Sequence, residues 1–212
     1  VADDYRSPLL AGTDPSNPSD VDLGAVNVHY APSDWVSLGG LAVLDADDAS
    51  GRKRITAGVI ATGGGSGISY SAEGYYQMGS EDGDVNYAAY LAALHLRYSL
   101  GGQLAPFLEL FGEVVSGDED ITDRDHKAFD TLYATNHKFY GEMDFFLNLP
   151  VHTMGLGLMD VGAQAGVSPF KKVAAKVTAH QFMSMEEDGA GNSVFGTEVD
   201  VRVDWRPYKK FK

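Results

Sequence analysis

Residues 86–100 read NYAAYLAALHLRYSL. From Tyr90 onward every second residue is apolar (Tyr90, Ala92, Leu94, Leu96, Tyr98, Leu100), and Ala93, His95, Arg97 and Ser99 fall between them. A period of two is the pattern of a β-strand with one apolar and one polar face. Two tyrosines bracket the apolar band. Tyr90 and Tyr98 lie about 26 Å apart at roughly 3.3 Å per residue, close to the spacing of the two aromatic girdles of a membrane barrel after tilt.

The same pattern extends in both directions. In residues 197–206, Val199, Val201, Val203 and Trp205 alternate with Glu198, Asp200, Arg202, Asp204 and Arg206. In 68–78, Ile68, Tyr70, Ala72, Tyr76 and Met78 stand opposite Ser69, Ser71, Glu73 and Gln77. In 104–115, Pro106, Leu108, Leu110 and Val114 stand opposite Glu109 and Glu113. Weaker alternation marks 21–30, 35–44, 55–61, 158–167 and 172–183, which makes about nine strands in all. The connections predicted are short at 31–34, 63–67, 101–103 and 168–171. They are longer and mostly acidic at 45–54, 79–84, 116–155 and 184–196. Residues 1–20, rich in Pro, Ser and Asp, read as a loop.

Composition narrows the class. With 44% hydrophobic and 11% aromatic residues the chain has too much to bury for a disordered segment, and 25 glycines suit strands joined by tight turns. Sixteen Lys and Arg against 30 Asp and Glu, a formal charge of -14, exclude nucleic acid as a partner. The absence of cysteine removes disulfide frameworks, thiolate metal sites and cysteine nucleophiles together. No run approaches the roughly 18 apolar residues of a membrane helix, and VADDYRSPLL has neither a basic nor an apolar leader region. The chain is therefore either soluble or a strand-crossing protein whose leader has been removed.

Alternation alone does not say which face meets lipid, since a soluble sandwich or lipocalin-like barrel would place the valines inside. Three features favour the membrane: alternating short and long connections, aromatic residues bracketing the apolar faces, and strands of about ten residues, long for a sandwich. The fold class expected is all-β, an antiparallel transmembrane β-barrel in a single domain.

One segment, KAFDTLYATNHKFYGEMDFFLNL at 127–149, is aromatic-rich without a clean period. Counting from the short turns on either side puts both ends of the 116–155 insertion on the same side of the wall. A single extra spanning strand would break that parity, so the segment reads as a long extracellular loop. Phe129, Leu132, Tyr133, Phe139, Tyr140, Met143, Phe145 and Phe146 are too apolar to leave in water, so the loop is expected to fold into the lumen. There Asp130, Tyr133, Asn136, His137, Lys138, Tyr140, Glu142 and Asp144 would form a constriction.

The runs FDTLYATNHKFYGEMDFFL, NYAAYLAALHLRYSLGGQLAPFLELFGEVVSGD and HQFMS…GTEVDVRVDWRPYKKF resemble the C-terminal half of the alginate-export family. The resemblance covers most of 55–211 and is most specific in FDTLYATNHKFYG. It implies a large antiparallel barrel in the Gram-negative outer membrane that exports an acidic polysaccharide. Relatives of this kind continue past a segment such as KKF to a closing strand. With an odd strand count, the resemblance implies part of a larger barrel, completed by further strands or partner proteins.

On the barrel reading the lumen face carries Glu73, Glu109, Glu113, Asp160, Glu198, Asp200 and Asp204 against Arg97, Lys172, Lys176, Arg202 and Arg206, with His29, His95 and His180. Charged rings of this kind tune solute selectivity, and pairing across strands is the plainer role of many of them. The balance is mixed and slightly acidic, unlike the basic lumen that export of a polyanion leads one to expect. Other chemistry is thin. GGGSG at 63–67 lacks the lysine of a phosphate loop and reads as a turn. His126, His137 and His152 have no metal-site spacing. Asp118, Asp120 and Asp123 offer oxygen ligands for Ca²⁺ without the register of a calcium loop. No Ser/His/Asp grouping points to an enzyme, and no cofactor is expected. The function expected is a porin-like channel for hydrophilic solutes, with polysaccharide export of the alginate type as one substrate class and membrane lipid around it. The alternative is a non-transporting scaffold or surface-interaction barrel.

Overall fold

The computed structural model describes residues 21–206 apart from 34, 83, 121 and 135. The expected loop at 1–20 and the end of the KKF segment lie outside the described residues. Nine long strands run as β1 (Val21–Ser33), β2 (Val36–Asp47), β3 (Arg52–Gly65), β4 (Ile68–Glu81), β5 (Val85–Ser99), β6 (Phe107–Val115), β8 (Leu158–Phe170), β9 (Val173–Met183) and β10 (Val194–Trp205). A two-residue strand, β7 (Asp125–His126), lies parallel to β5. The nine long strands form one antiparallel up-and-down sheet, each paired with its neighbours in sequence. β1 and β10 each keep one edge unpaired among the described residues, so the sheet is a partial barrel.

Several boundaries differ from the sequence reading, for a common reason. β2 and β3 continue to Asp47 and from Arg52, so the expected charged loop at 45–54 shrinks to a turn at 48–51. β4 likewise runs to Glu81 and β5 begins at Val85. A ladder leaves no backbone group unsatisfied, so pairing propagates through polar residues that local composition assigns to loop. The GGGSG turn contracts in the same way: Gly63–Gly65 pair with 68–70, and only Ser66 and Gly67 turn, with φ of 53° and 87°. Two successive positive φ values are the two-residue hairpin geometry that matches strand twist. The opposite deviation occurs at Pro106, which precedes β6 instead of sitting on a strand face. Proline has no N–H for the ladder.

The alternation becomes two faces. Val59, Leu94, Leu96, Leu110, Val199, Val201 and Trp205 are exposed on one of them. On the other, Arg54, Thr56, Gln77, Asp160, Thr178, His180 and Glu198 are buried. The insertion packs on this second, inner face. The core therefore lies between wall and insertion: Ala89, Val115, Leu158 and Phe182 of the strands surround Phe129, Tyr140, Phe146 and Leu149. Among the described residues the insertion has no α-helix, only a 3₁₀ turn at Val151–Thr153.

Candidate functional site

Three sets of contacts tie residues 116–157 across the inner face. The first is on β3 and β4, where the Arg54 guanidinium donates to Asp45 at 2.7 Å and to Asp130 at 2.9 Å. Gln77, fully buried, donates to the Asp130 carbonyl at 2.8 Å and accepts from the Asp130 amide at 2.9 Å. Gln77 also donates to the Thr56 hydroxyl at 3.0 Å. A buried amide side chain must pair both ends, so these bonds dictate where Asp130 sits.

The second set is on β6, where the Tyr140 hydroxyl donates to Glu113. Burial, followed by the Glu113 charge, pushes the Tyr140 phenol far above the ordinary tyrosine range, so it remains a donor. The third is on β9 and β10. Lys176 and Arg202 stand directly opposite each other, and like charges in that position repel. Glu142 reaches both, at 3.7 and 3.5 Å. The Met143 amide donates to Glu198 at 3.0 Å, and Phe146 packs on Phe182 and Phe195 with ring centroids 4.9 and 5.4 Å apart.

The expected constriction residues thus divide. Asp130, Tyr140 and Glu142 reach the wall. Asn136 is buried inside the loop and donates to Thr131 at 2.9 Å, while His137 pairs with Asp144. Lys138 lies over the Phe139 ring, 5.5 Å from its centroid. Tyr133, Phe139, Met143 and Phe145 stay exposed: the core between loop and wall takes only Phe129, Tyr140, Phe146 and Leu149 from the insertion. Amides that must pair and carboxylates that seek cations decide which side chains turn inward.

The inner-face residues are partly paired. Glu109 receives His95 at 3.0 Å and Arg97 at 3.7 Å, and Arg97 covers the Phe107 ring. His180 lies 2.9 Å from Asp160 and 3.9 Å from Asp200, and Arg202 meets Asp204 at 3.3 Å. Glu73 accepts from Tyr75 at 2.9 Å. His29 contacts Ser37 at 2.6 Å on the exposed β1–β2 edge. Arg206 donates its amide to the Lys172 carbonyl at 2.9 Å.

The calcium candidates do not converge. Asp118 accepts from the Asp120 and Lys127 amides, Asp120 from Thr122, and Asp123 from the Asp125 amide. Hydrogen bonds from Thr122 hold Asp120 below the ordinary carboxylate range. These carboxylates close loop turns, and among the described residues no group of three or more His, Asp or Glu is arranged to hold a metal ion.

Arg54 and Asp45 lie in the charged stretch 45–54, whose local composition reads as a loop and hides their place on a strand face. The period of two, continued backward from Thr56 to Arg54 and Arg52 and forward from Val43 to Asp45 and Asp47, is the signal that sets them on the polar face.

An antiparallel meander with one apolar face, one polar face and an insertion packed on the polar face between two adjacent strands defines the class, a partial antiparallel β-barrel. A family model described as alginate export matches residues 20–210, and the chain belongs to that family. Membership implies β-barrel transport at an outer membrane. No curated protein matches the chain.

Proposed function

We propose that the chain forms part of the wall of a Gram-negative outer-membrane channel for hydrophilic solutes, with residues 116–157 as an extracellular loop folded into the lumen. The observation that carries this reading is the division of faces: exposed apolar side chains on one side, and on the other a polar surface crossed by the insertion from Arg54 on β3 to Arg202 on β10. Lipid suits the first and water the second. A bilayer tolerates no open sheet edge, so on this reading β1 and β10 pair in the membrane, with each other or with further strands.

The loop narrows the path. Its bonds to Glu113, Glu198, Lys176 and Arg202 along the polar face support this reading, on which its own charged groups meet any passing solute. Polysaccharide export is the transport that family membership favours; the particular solute is argued below.

The test is deletion of residues 131–146 from the full-length protein, refolded into planar bilayers. The expected result is a clear rise in single-channel conductance. An unchanged current would remove the loop from the permeation path. A barrel that inserts and carries no current would defeat the channel reading in favour of a surface scaffold.

A further inference from the structure

Between the insertion and β4, β5, β6 and β8 lies a cavity of about 500 Å³. Its charged lining is Glu73, Glu109, Glu113 and Asp160 against Arg97 and Lys138. Arg97 and His95 are both committed to Glu109. Lys138, exposed on the loop, makes no ion pair among the described residues and lies over Phe139. Among the described residues, Glu73, Glu113 and Asp160 therefore line the cavity with no Lys or Arg paired to them, held by Tyr75, Tyr140 and His180.

Asp160 is the most deeply buried of these carboxyl groups. Its side chain is 3% exposed, one oxygen contacts His180, and the other oxygen, Oδ1, has no hydrogen-bond partner. A buried carboxylate oxygen without a donor is costly, and a cation in the adjoining cavity offsets that cost through its charge. Phe111 and Phe139 flank the same space, Gln164 adds an amide, and aromatic faces attract cations.

We propose that this cavity binds small organic cations bearing ammonium or guanidinium groups, and that it disfavours polyuronates. The transport consequence rests on the channel reading above; the binding does not. Carboxylates facing the path attract cations, whereas a polyanion would meet like charge at Glu73 and Asp160. A member of an alginate-export family would on this ground discriminate against the polyanion.

Isothermal titration of the refolded full-length protein at low salt, with agmatine and with trigalacturonate as probes, tests the binding. Agmatine should bind and trigalacturonate should not, and Glu73→Gln or Asp160→Asn should each weaken agmatine by about tenfold, as one attracting charge is lost. Circular dichroism confirms that each variant keeps its strand content; if Asp160→Asn does not fold, Glu73→Gln decides. Agmatine failing to bind, binding no better than trigalacturonate, or binding equally to the variants would overturn the proposal.

Bilayer reversal potentials in a salt gradient separate the two readings. Cation preference that diminishes in the variants supports both. Current without cation preference leaves the channel and removes the cavity's role in selection. Agmatine binding without any current removes the channel and keeps the site.

Discussion

Arg54 and Asp130, seventy-six positions apart, meet at 2.9 Å, and through this pair the insertion is fastened to β3. Asp130→Asn removes the charge while the backbone of residue 130 can still bond Gln77. The loss should be about 1–3 kcal/mol, since Arg54 is 5% exposed and keeps only Asp45. Limited proteolysis should cut within 116–157 faster at unchanged strand content. Equal rates in both proteins would mean that Gln77 and the contacts on β6, β9 and β10 hold the segment without the Arg54 pair.

Tyr140→Phe keeps the ring in the core and deletes only the hydroxyl donated to Glu113. An acceptor left without its donor costs about 1–3 kcal/mol. The denaturant midpoint should fall and open-channel current noise should rise as the loop loosens. A midpoint at the wild-type value would show that water replaces the hydroxyl without loss.

Glu142 bridges the opposed Lys176 and Arg202, so Glu142→Lys would place three positive charges together. All three groups are substantially exposed, and solvent keeps the effect small. The sign is clear and so is its salt dependence. Loop release measured by proteolysis should exceed wild type at low salt and approach it at high salt.

Leu96 and Val201 are exposed on the apolar face, at 49% and 77%. Leu96→Arg or Val201→Arg should impair insertion into vesicles, because a charge near the bilayer midplane costs about 2–4 kcal/mol. Arg97→Ala, on the other face of β5, should insert normally. The reverse outcome would assign the apolar face to a soluble neighbour.

His126 stacks edge-on against Tyr87, ring centroids 5.1 Å apart, where β7 pairs with β5. Burial lowers its pKa below 6.5; Asp118, Glu81 and Asp130 oppose this and Arg54 reinforces it. The depressed value sets the sign: the undocked segment takes up the proton more readily. Docking of β7 is therefore at full strength above pH 6.5 and weakens as pH falls from 6.5 through the folded value. Exchange of the Asn86 amide, bonded to the Arg124 carbonyl at 2.7 Å, should show added opening in acid beyond intrinsic rates. His126→Gln should abolish that pH dependence.

The amino-acid sequence by itself determined the strands and the polarity of their faces. Side-chain direction alternates on a strand whatever surrounds it, so Leu94, Leu96 and Tyr98 had to point away from His95 and Arg97. It also determined that the 116–155 segment begins and ends at the same end of the wall, since antiparallel neighbours demand it. Tertiary structure alone decided where pairing stops and which loop side chains turn inward. Asp45 and Arg54 look like loop residues until the ladder carries them onto the inner face, because the hydrogen bonds that extend β2 and β3 come from residues far along the chain. Tyr140 and Tyr133 are equivalent in composition, yet one is buried against Glu113 and the other is exposed. The difference lies in which wall acceptor is within reach, and distance between remote segments leaves no trace in local sequence.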